Sequence, residues 1–424
     1  MSKNGHDYSS ATRIIHGPSH SARWDYGHHV VPPISYSATY RLDSVERGVQ
    51  GFTDFGGQVS DDGETPIYIY DRLDDPTRSL LESELATLEG ADACVTFSSG
   101  MGGISAALGS LLKSGEHMIA HRLLYGCTHS LLENWMPRWN VEVDRADFID
   151  IEAVRARIRP ETRVLYTETP VNPDLTMIDI GAYRALCDEF NAKRSEEEKI
   201  QIVVDNTFAT PYGQRPMSLG ADVVCHSLTK NLGGFGTQIG GAVMCRHELL
   251  RTLLMFRKDI GASLAPMSAW GVLVYGLPSL AARIERQQRS AIKIAEWLES
   301  RPEITKVLYP GLDSFPQREL AEKQLRNPDG KYNPGNMLYF YVDEEKVDPI
   351  TFTNKVGSDA YCITLAVSLG HVKTLLEMPA AMTHSSYCRD ENTDRGIRIS
   401  VGLEDPKDII HDLETILAAS APSK

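Results

Sequence analysis

The segment Ala221–Gly241, ADVVCHSLTKNLGGFGTQIGG, sets one lysine, Lys230, beside two hydroxyls, Ser227 and Thr229, at the end of a β-branched run. A lysine at the end of a buried strand loses hydration, which brings the neutral, nucleophilic amine within reach. Hydroxyls at such a strand end can hold phosphate oxygens. A second candidate anion site is Ser98-Ser99-Gly100-Met101-Gly102-Gly103, where the short strand ADACVTFSS meets the apolar helix ISAALGSLL. Free backbone N–H groups and the helix dipole point at such a turn. Asp205 ends the apolar run Ile202-Val203-Val204; it must cap the next turn or meet a cation, since a buried unpaired carboxylate is costly. Arg398, between apolar residues in IRISVGLED, suits either a surface ion pair or a bidentate grip on a carboxylate.

An amine able to form an imine, next to a phosphate site, is the arrangement that pyridoxal phosphate chemistry needs. A carboxylate facing the pyridine nitrogen would keep that ring protonated and electron-accepting. Plainer readings stand beside this one: Lys230 as a surface lysine, and the Ser99–Gly103 turn as a tight turn for packing alone. A dinucleotide fingerprint built from Gly234, Gly236 and Gly240 does not fit, because that motif follows a strand and opens a helix. Here the glycines follow the lysine and lead into another strand.

The chain's 424 residues, 42% hydrophobic and 24% charged, describe a globular protein large enough for two or three domains. A net charge of -14 argues against a nucleic-acid partner, which needs a basic face. Seven cysteines, at 94, 127, 187, 225, 245, 362 and 388, show no CxxC pair and read as reduced thiols. Without an apolar signal core or a run long enough for a membrane span, a cytoplasmic protein with no membrane partner is expected.

Residues 1–75 are rich in Gly, Pro, Ser and His and carry little helical periodicity, so we expect an N-terminal arm lying on a neighbouring subunit. From residue 76 to about 280, strands alternate with helices: TRSLLESELATLEG, ADACVTFSS, EHMIAH, LYGCTHSLLENWM, TRVLYTETP, DIGAYRALCDEFNAK, IQIVVDNTFATP and ADVVCHSLTK. That alternation predicts an α/β domain with a mainly parallel sheet covered on both faces, and ligands at the carboxyl ends of its strands. Asn172, Asp205, Ser227 and Lys230 all fall at or just after such ends. Residues 281–424 read as a smaller C-terminal α+β domain, reached through a long helical region kinked at Pro278.

VPPISYSATY, SSGMGG, LYGCT, ETPVNP, VVDNTFATP, HSLTK, SLGHVKTLLEMPAAMTHSSY and IRISVGLED occur in this order over nearly the whole chain. Together they resemble the cysteine and methionine metabolism (trans-sulfuration) family of pyridoxal phosphate enzymes. The resemblance implies a fold-type I, aminotransferase-like architecture with a seven-stranded sheet. It also implies an amino-acid substrate and a homotetramer built as a dimer of catalytic dimers. Lys230 would carry the cofactor and move protons on the substrate. Asp205 would meet the pyridine nitrogen, Asn172 the ring hydroxyl, and Ser99, Gly100, Met101, Ser227 and Thr229 the phosphate. Tyr70 and Arg72 of YDRLDDPT would reach the phosphate of the adjacent subunit. Tyr125 would stack on the ring and help protonate the leaving group, and Arg398 with Ser368 would bind the substrate carboxylate.

Within the family, Cys127 and the pair Lys258-Asp259 resemble the methionine γ-lyase pattern, which implies a catalytic part for Cys127 and a place beside the substrate for all three. The implied reaction is γ-elimination, with γ-replacement of the O-acetylhomoserine sulfhydrylase or cystathionine γ-synthase type as the alternative. Two departures stand out: Asp71, Asp74 and Asp75 within Tyr70–Thr77, and the long acidic stretch GFTDFGGQVSDDGETP before it. Both suggest an entrance suited to a cationic or strongly polar γ-substituent, such as the guanidinooxy group of canavanine, rather than a thioether.

Overall fold

The computed structural model describes residues 8–16, 29–55, 67–382 and 395–422. Seven strands form the larger sheet: β1 Ala93–Phe97, β2 His117–His121, β3 Glu142–Ala146, β4 Thr162–Glu168, β5 Gln201–Asp205, β6 Val223–Ser227 and β7 Gly241–Cys245. Their order is β1-β7-β6-β5-β4-β2-β3. Strands β3, β2, β4, β5 and β6 run parallel, and β7 pairs antiparallel with both β6 and β1. Alternate residues feed two cores: Ile202, Val204 and Val224 one face, Val203, Val223 and Cys225 the other. A sheet covered on both faces explains why these strands read as continuous apolar runs.

The helix Pro76–Glu89 begins on Asp75, whose Oδ1 accepts from the N–H of Thr77 and Arg78. It ends at Gly90, at φ +75°, where a side chain would be strained. The helix Gly100–Leu111 begins on Ser99, whose Oγ accepts from Gly102 N–H at 3.0 Å.

A second sheet contains β8 Ile304–Leu308, β9 Met337–Val342, β10 Ile363–Leu365, β11 Thr374–Glu377 and β12 Gly396–Ser400, in the order β10-β11-β12-β9-β8. The architecture is the expected α/β class, a mostly parallel sheet followed by a smaller α+β unit. The expected boundary at residue 280 falls inside one continuous helix, Leu277–Glu299. Its first turns, Leu277, Leu280 and Ile284, belong to the core of the large sheet; its later turns, Ala291, Ile294 and Leu298, belong to the core of the small one. Pro278 lies inside a helical run continuous from Pro266 to Glu299, and the irregularity falls just before it in the π-helical turn Val272–Gly276.

The N-terminal region is less irregular than its composition suggests. Helices span Ser10–His16 and Val45–Asp54, the second capped by Ser44 Oγ accepting from Arg47 N–H at 3.1 Å. Parts of the arm, the acidic residues 56–66 and the THSSY end of the motif at 383–387 lie outside the described residues. Among the described residues no helix is long and apolar enough to cross a membrane.

Candidate active site

A cavity of about 290 Å³ opens where the carboxyl ends of β4, β5 and β6 meet the small sheet. Of the residues singled out by sequence, Ser99, Gly100, Met101, Tyr125, Asn172, Asp205, Ser227, Thr229, Lys230, Ser368 and Arg398 line it. Parallel strands leave their carboxyl ends at one edge, so polar residues terminating separate apolar runs converge there.

Lys230 lies in a tight turn after β6, at φ -93° and ψ -136° inside an otherwise π-helical segment. Its Nζ donates to Ser368 Oγ at 2.7 Å. Burial and the neighbouring Arg398 cation lower the ammonium's pKa to about 8. Ser368 itself holds a left-handed backbone, φ 95°, which for a non-glycine residue costs on the order of 1–3 kcal/mol. That conformation serves two contacts at once, since the Ser368 carbonyl also accepts from Arg398 at 3.0 Å.

The phosphate end is built from close backbone approach. A Cβ at Gly100 would come within 3.0 Å of Ser227 Cβ, and one at Gly241 within 2.1 Å of the Ser99 carbonyl oxygen. Only glycine lets the helix N-terminus Gly100–Leu111 sit this near β6 and β7. Thr229 Oγ1 accepts from Gly240 N–H at 3.1 Å, and Thr207 Oγ1 accepts from Ser227 N–H at 2.9 Å, which fixes the hydroxyl rim. The helix N-terminus and this rim fit a phosphate.

Asp205 accepts from Thr207 N–H at 2.9 Å, and burial pushes its carboxyl pKa up. A cation placed against it, such as a protonated ring nitrogen, would restore the charged form. Glu168, at the end of the adjacent strand and paired in register with Asp205, is pushed to about 8 by burial and by the Asp205 charge. Its Oε1 accepts from Tyr125 N–H at 2.6 Å, so it fixes the loop that carries the phenol. Burial raises the Tyr125 pKa, and the phenol keeps its proton at neutral pH. Cys127, exposed, stands beside that phenol. Asn172 Oδ1 accepts from Arg398 at 2.7 Å and ties the large sheet to the small one.

Sequence reasoning missed Glu168, Thr207 and Glu377, all on the cavity wall. Glu168 and Glu377 carry the same signal as Asp205, a carboxylate ending an apolar strand.

Cys127, Tyr70, Arg72, Lys258 and Asp259 do not line this chain's cavity. Arg72 is exposed, lies over the Tyr70 ring at 5.5 Å and donates to the Lys258 carbonyl. Lys258 is drawn to Asp259 at 3.3 Å. Lys258 and Asp259, expected beside the substrate, end the helix His247–Ile260 beside Arg72 and do not line this chain's cavity. The three additional carboxylates are also spent elsewhere. Asp71 pairs with Arg78 at 3.1 Å, Asp74 accepts from Ser79 Oγ at 2.8 Å, and Asp75 caps its helix.

A desolvated lysine, an anion cradle at a glycine-lined helix start and a buried carboxylate are the features that pyridoxal phosphate chemistry needs. Comparison with known proteins agrees. The profile of the Cys/Met metabolism PLP-dependent enzyme family matches residues 11–418. The chain is 38% identical over 411 residues to L-methionine gamma-lyase of Porphyromonas gingivalis, covering 95% of this chain and 96% of that one. It is 37% identical over 428 residues to L-methionine gamma-lyase of Pseudomonas deceptionensis, covering 99% and 100%. Cystathionine gamma-lyase from Lactobacillus plantarum, solved with L-serine, superposes with a TM-score of 0.83 at 32% identity, over 98% of this chain and 99% of that one. The chain belongs to the Cys/Met metabolism family of PLP-dependent enzymes, it is a lyase, and its cofactor is pyridoxal phosphate.

If Lys230 is the residue that captures the cofactor, its lowered pKa sets the pH dependence of that step. Only the neutral amine attacks the aldehyde, so below a pKa of about 8 the rate rises with pH, and above it the rate levels off. Stopped-flow absorbance after adding pyridoxal phosphate to cofactor-free protein measures this. A rate still climbing from pH 9 to pH 10, as for an ordinary lysine, contradicts it.

Proposed function

We propose that the enzyme eliminates the γ-substituent of an L-amino acid with a thioether side chain, L-methionine being the test case, consuming one water to give a 2-oxo acid, ammonia and a thiol. One observation carries this reading: Lys230, Tyr125 and Arg398 surround a single cavity whose remaining wall includes Phe208, Ile239, Val367 and Leu369. An apolar wall suits a thioether better than a guanidinium. The similarity to two methionine gamma-lyases supports the same substrate class.

Pyridoxal phosphate, when bound, supplies an electron sink beside the substrate's α-carbon. Arg398 holds the α-carboxylate, and Asn172 and Ser368 fix its guanidinium. Lys230 Nζ removes the α-proton and moves a β-proton; its pKa of about 8 keeps both protonation states accessible near neutral pH. Tyr125 donates its proton to the departing sulfur. Glu168 keeps the Tyr125 backbone in place for that transfer.

Canavanine is the contrasting substrate. With Asp71, Asp74 and Asp75 engaged within the fold, only the acidic residues 56–66 still favour it. A panel of L-methionine, L-canavanine, and O-acetyl-L-homoserine with sulfide, with products identified, separates elimination from replacement. We expect kcat/KM for methionine to exceed that for canavanine by at least about tenfold, since a buried unpaired cation costs more than one lost apolar contact. A preference for canavanine, or a replacement product alone, overturns the proposal.

We also infer that the catalytic unit is a dimer in which Tyr70 and Arg72 complete the neighbour's phosphate site. Tyr70 is 41% exposed, and the arm presents Val30, Tyr36, Val45 and Phe52 to solvent in the single chain. Mixing inactive Lys230→Ala with inactive Arg72→Ala subunits should restore about a quarter of wild-type activity, because random pairing in a two-fold dimer rebuilds one intact site in half the dimers. No recovery after subunit exchange would show that Arg72 acts only within its own chain.

A further inference from the structure

Arg398 is not a free cation awaiting a carboxylate. It sits on β12 directly opposite Glu377 on β11, and the two side chains, 4% and 1% exposed, meet at 2.8 Å. Its other partners, Asn172 Oδ1 at 2.7 Å and the Ser368 carbonyl at 3.0 Å, are neutral. Among the described residues Glu377 is the one carboxylate within ion-pair distance of Arg398. Both line the cavity, so a substrate carboxylate reaching Arg398 also meets Glu377.

Resting on the reading of Arg398 as the carboxylate anchor, we infer that Glu377 is a positioning residue that sets how tightly this subsite holds the α-carboxylate. Two effects follow from its place. As the cross-strand neighbour it fixes the guanidinium plane, together with Asn172 and Ser368. As an anion it balances the guanidinium before substrate arrives. In a site of low dielectric, a second carboxylate gains from Arg398 but is repelled by Glu377, and the net attraction is far less than an uncompensated buried arginine would give. The subsite therefore selects by shape and hydrogen bonding more than by charge. Discrimination among substrates moves to the amino group near Lys230 and to the γ-end near Tyr125. The charge of Glu377 also reaches both of those groups: it opposes the lowering at Lys230 and adds to the raising at Tyr125.

Propionate and propionamide test this, because neither carries an amine to react with the cofactor and they differ in charge at constant shape. Calorimetric titration of the holoenzyme gives both dissociation constants. In the wild-type enzyme propionate should bind less than about tenfold tighter than propionamide, since opposing buried charge pairs nearly cancel. Glu377→Gln keeps the hydrogen-bonding shape while removing the charge, and should raise that preference by a further factor of about ten. Absorbance of the bound cofactor and the thermal midpoint establish that the variant is folded. A wild-type preference above about a hundredfold, or a preference unchanged in folded Glu377→Gln, overturns the inference. Should Glu377→Gln fail to fold, the wild-type ratio decides alone. Arg398→Lys separates the two layers: if propionate binds it as tightly as wild type, Arg398 is not the anchor and the inference falls with that reading. If Arg398→Lys weakens propionate but the Glu377→Gln ratio does not move, only the role of Glu377 is lost.

Discussion

The hydrogen bond from Lys230 Nζ to Ser368 Oγ, 2.7 Å long, spans the seam between the two sheets, and the chemistry depends on that seam staying closed. Lys230 follows β6 of the large sheet, and Ser368 precedes β11 of the small one. When the small sheet packs over the carboxyl ends of the large one, the lysine loses water and its pKa falls to about 8. Were the sheets apart, the amine would be solvated and protonated at neutral pH. Desolvation of one side chain is thus a consequence of how two cores are joined. The joint itself is one helix, Leu277–Glu299, whose first turns are buried in one core and whose last turns are buried in the other.

Arg398 reinforces the seam from the other side. From β12 it reaches Asn172 behind β4, Ser368 on the connecting loop, and Glu377 on its neighbouring strand. Fully desolvated arginines are tolerated when every N–H has somewhere to go, and removing one partner is far costlier than the pair's net contribution. The arginine proposed to anchor substrate thus also joins the two sheets. The left-handed backbone of Ser368 belongs to the same design, since strain there is kept only because both its side chain and its carbonyl are engaged.

Much of this was legible in the sequence because parallel strands bury both faces, so a polar residue ending an apolar run stands out. Asn172, Asp205, Ser227 and Lys230 announce themselves in that way, as does Arg398 between isoleucines. Glu168 and Glu377 end apolar strands too, but their roles depend on what lies across the strand pair: Asp205 for one, Arg398 for the other. Register is not written in composition. β3, with the sequence EVDRA, was missed because it is an edge strand whose charged residues face solvent. The helix Val45–Asp54 was missed because Gly48 and Gly51 each cost about 1 kcal/mol of helix propensity. Both glycines are there for packing, Gly48 against Leu42 and Gly51 against Ile67 and Ile69. Asp71, Asp74 and Asp75 misled in the opposite direction. Three carboxylates in a row look like an electrostatic feature, yet each has a local partner in the fold.

Lys230 as the covalent anchor of the cofactor is the assignment on which the remaining roles rest. Borohydride reduction of the purified holoenzyme, followed by digestion and peptide mass measurement, tests it directly. The protein should be yellow before reduction, and the mass of the reduced pyridoxyl phosphate should appear on the peptide containing Lys230 and on no other. A colourless protein that takes up no added cofactor, or a label on a different lysine, contradicts it.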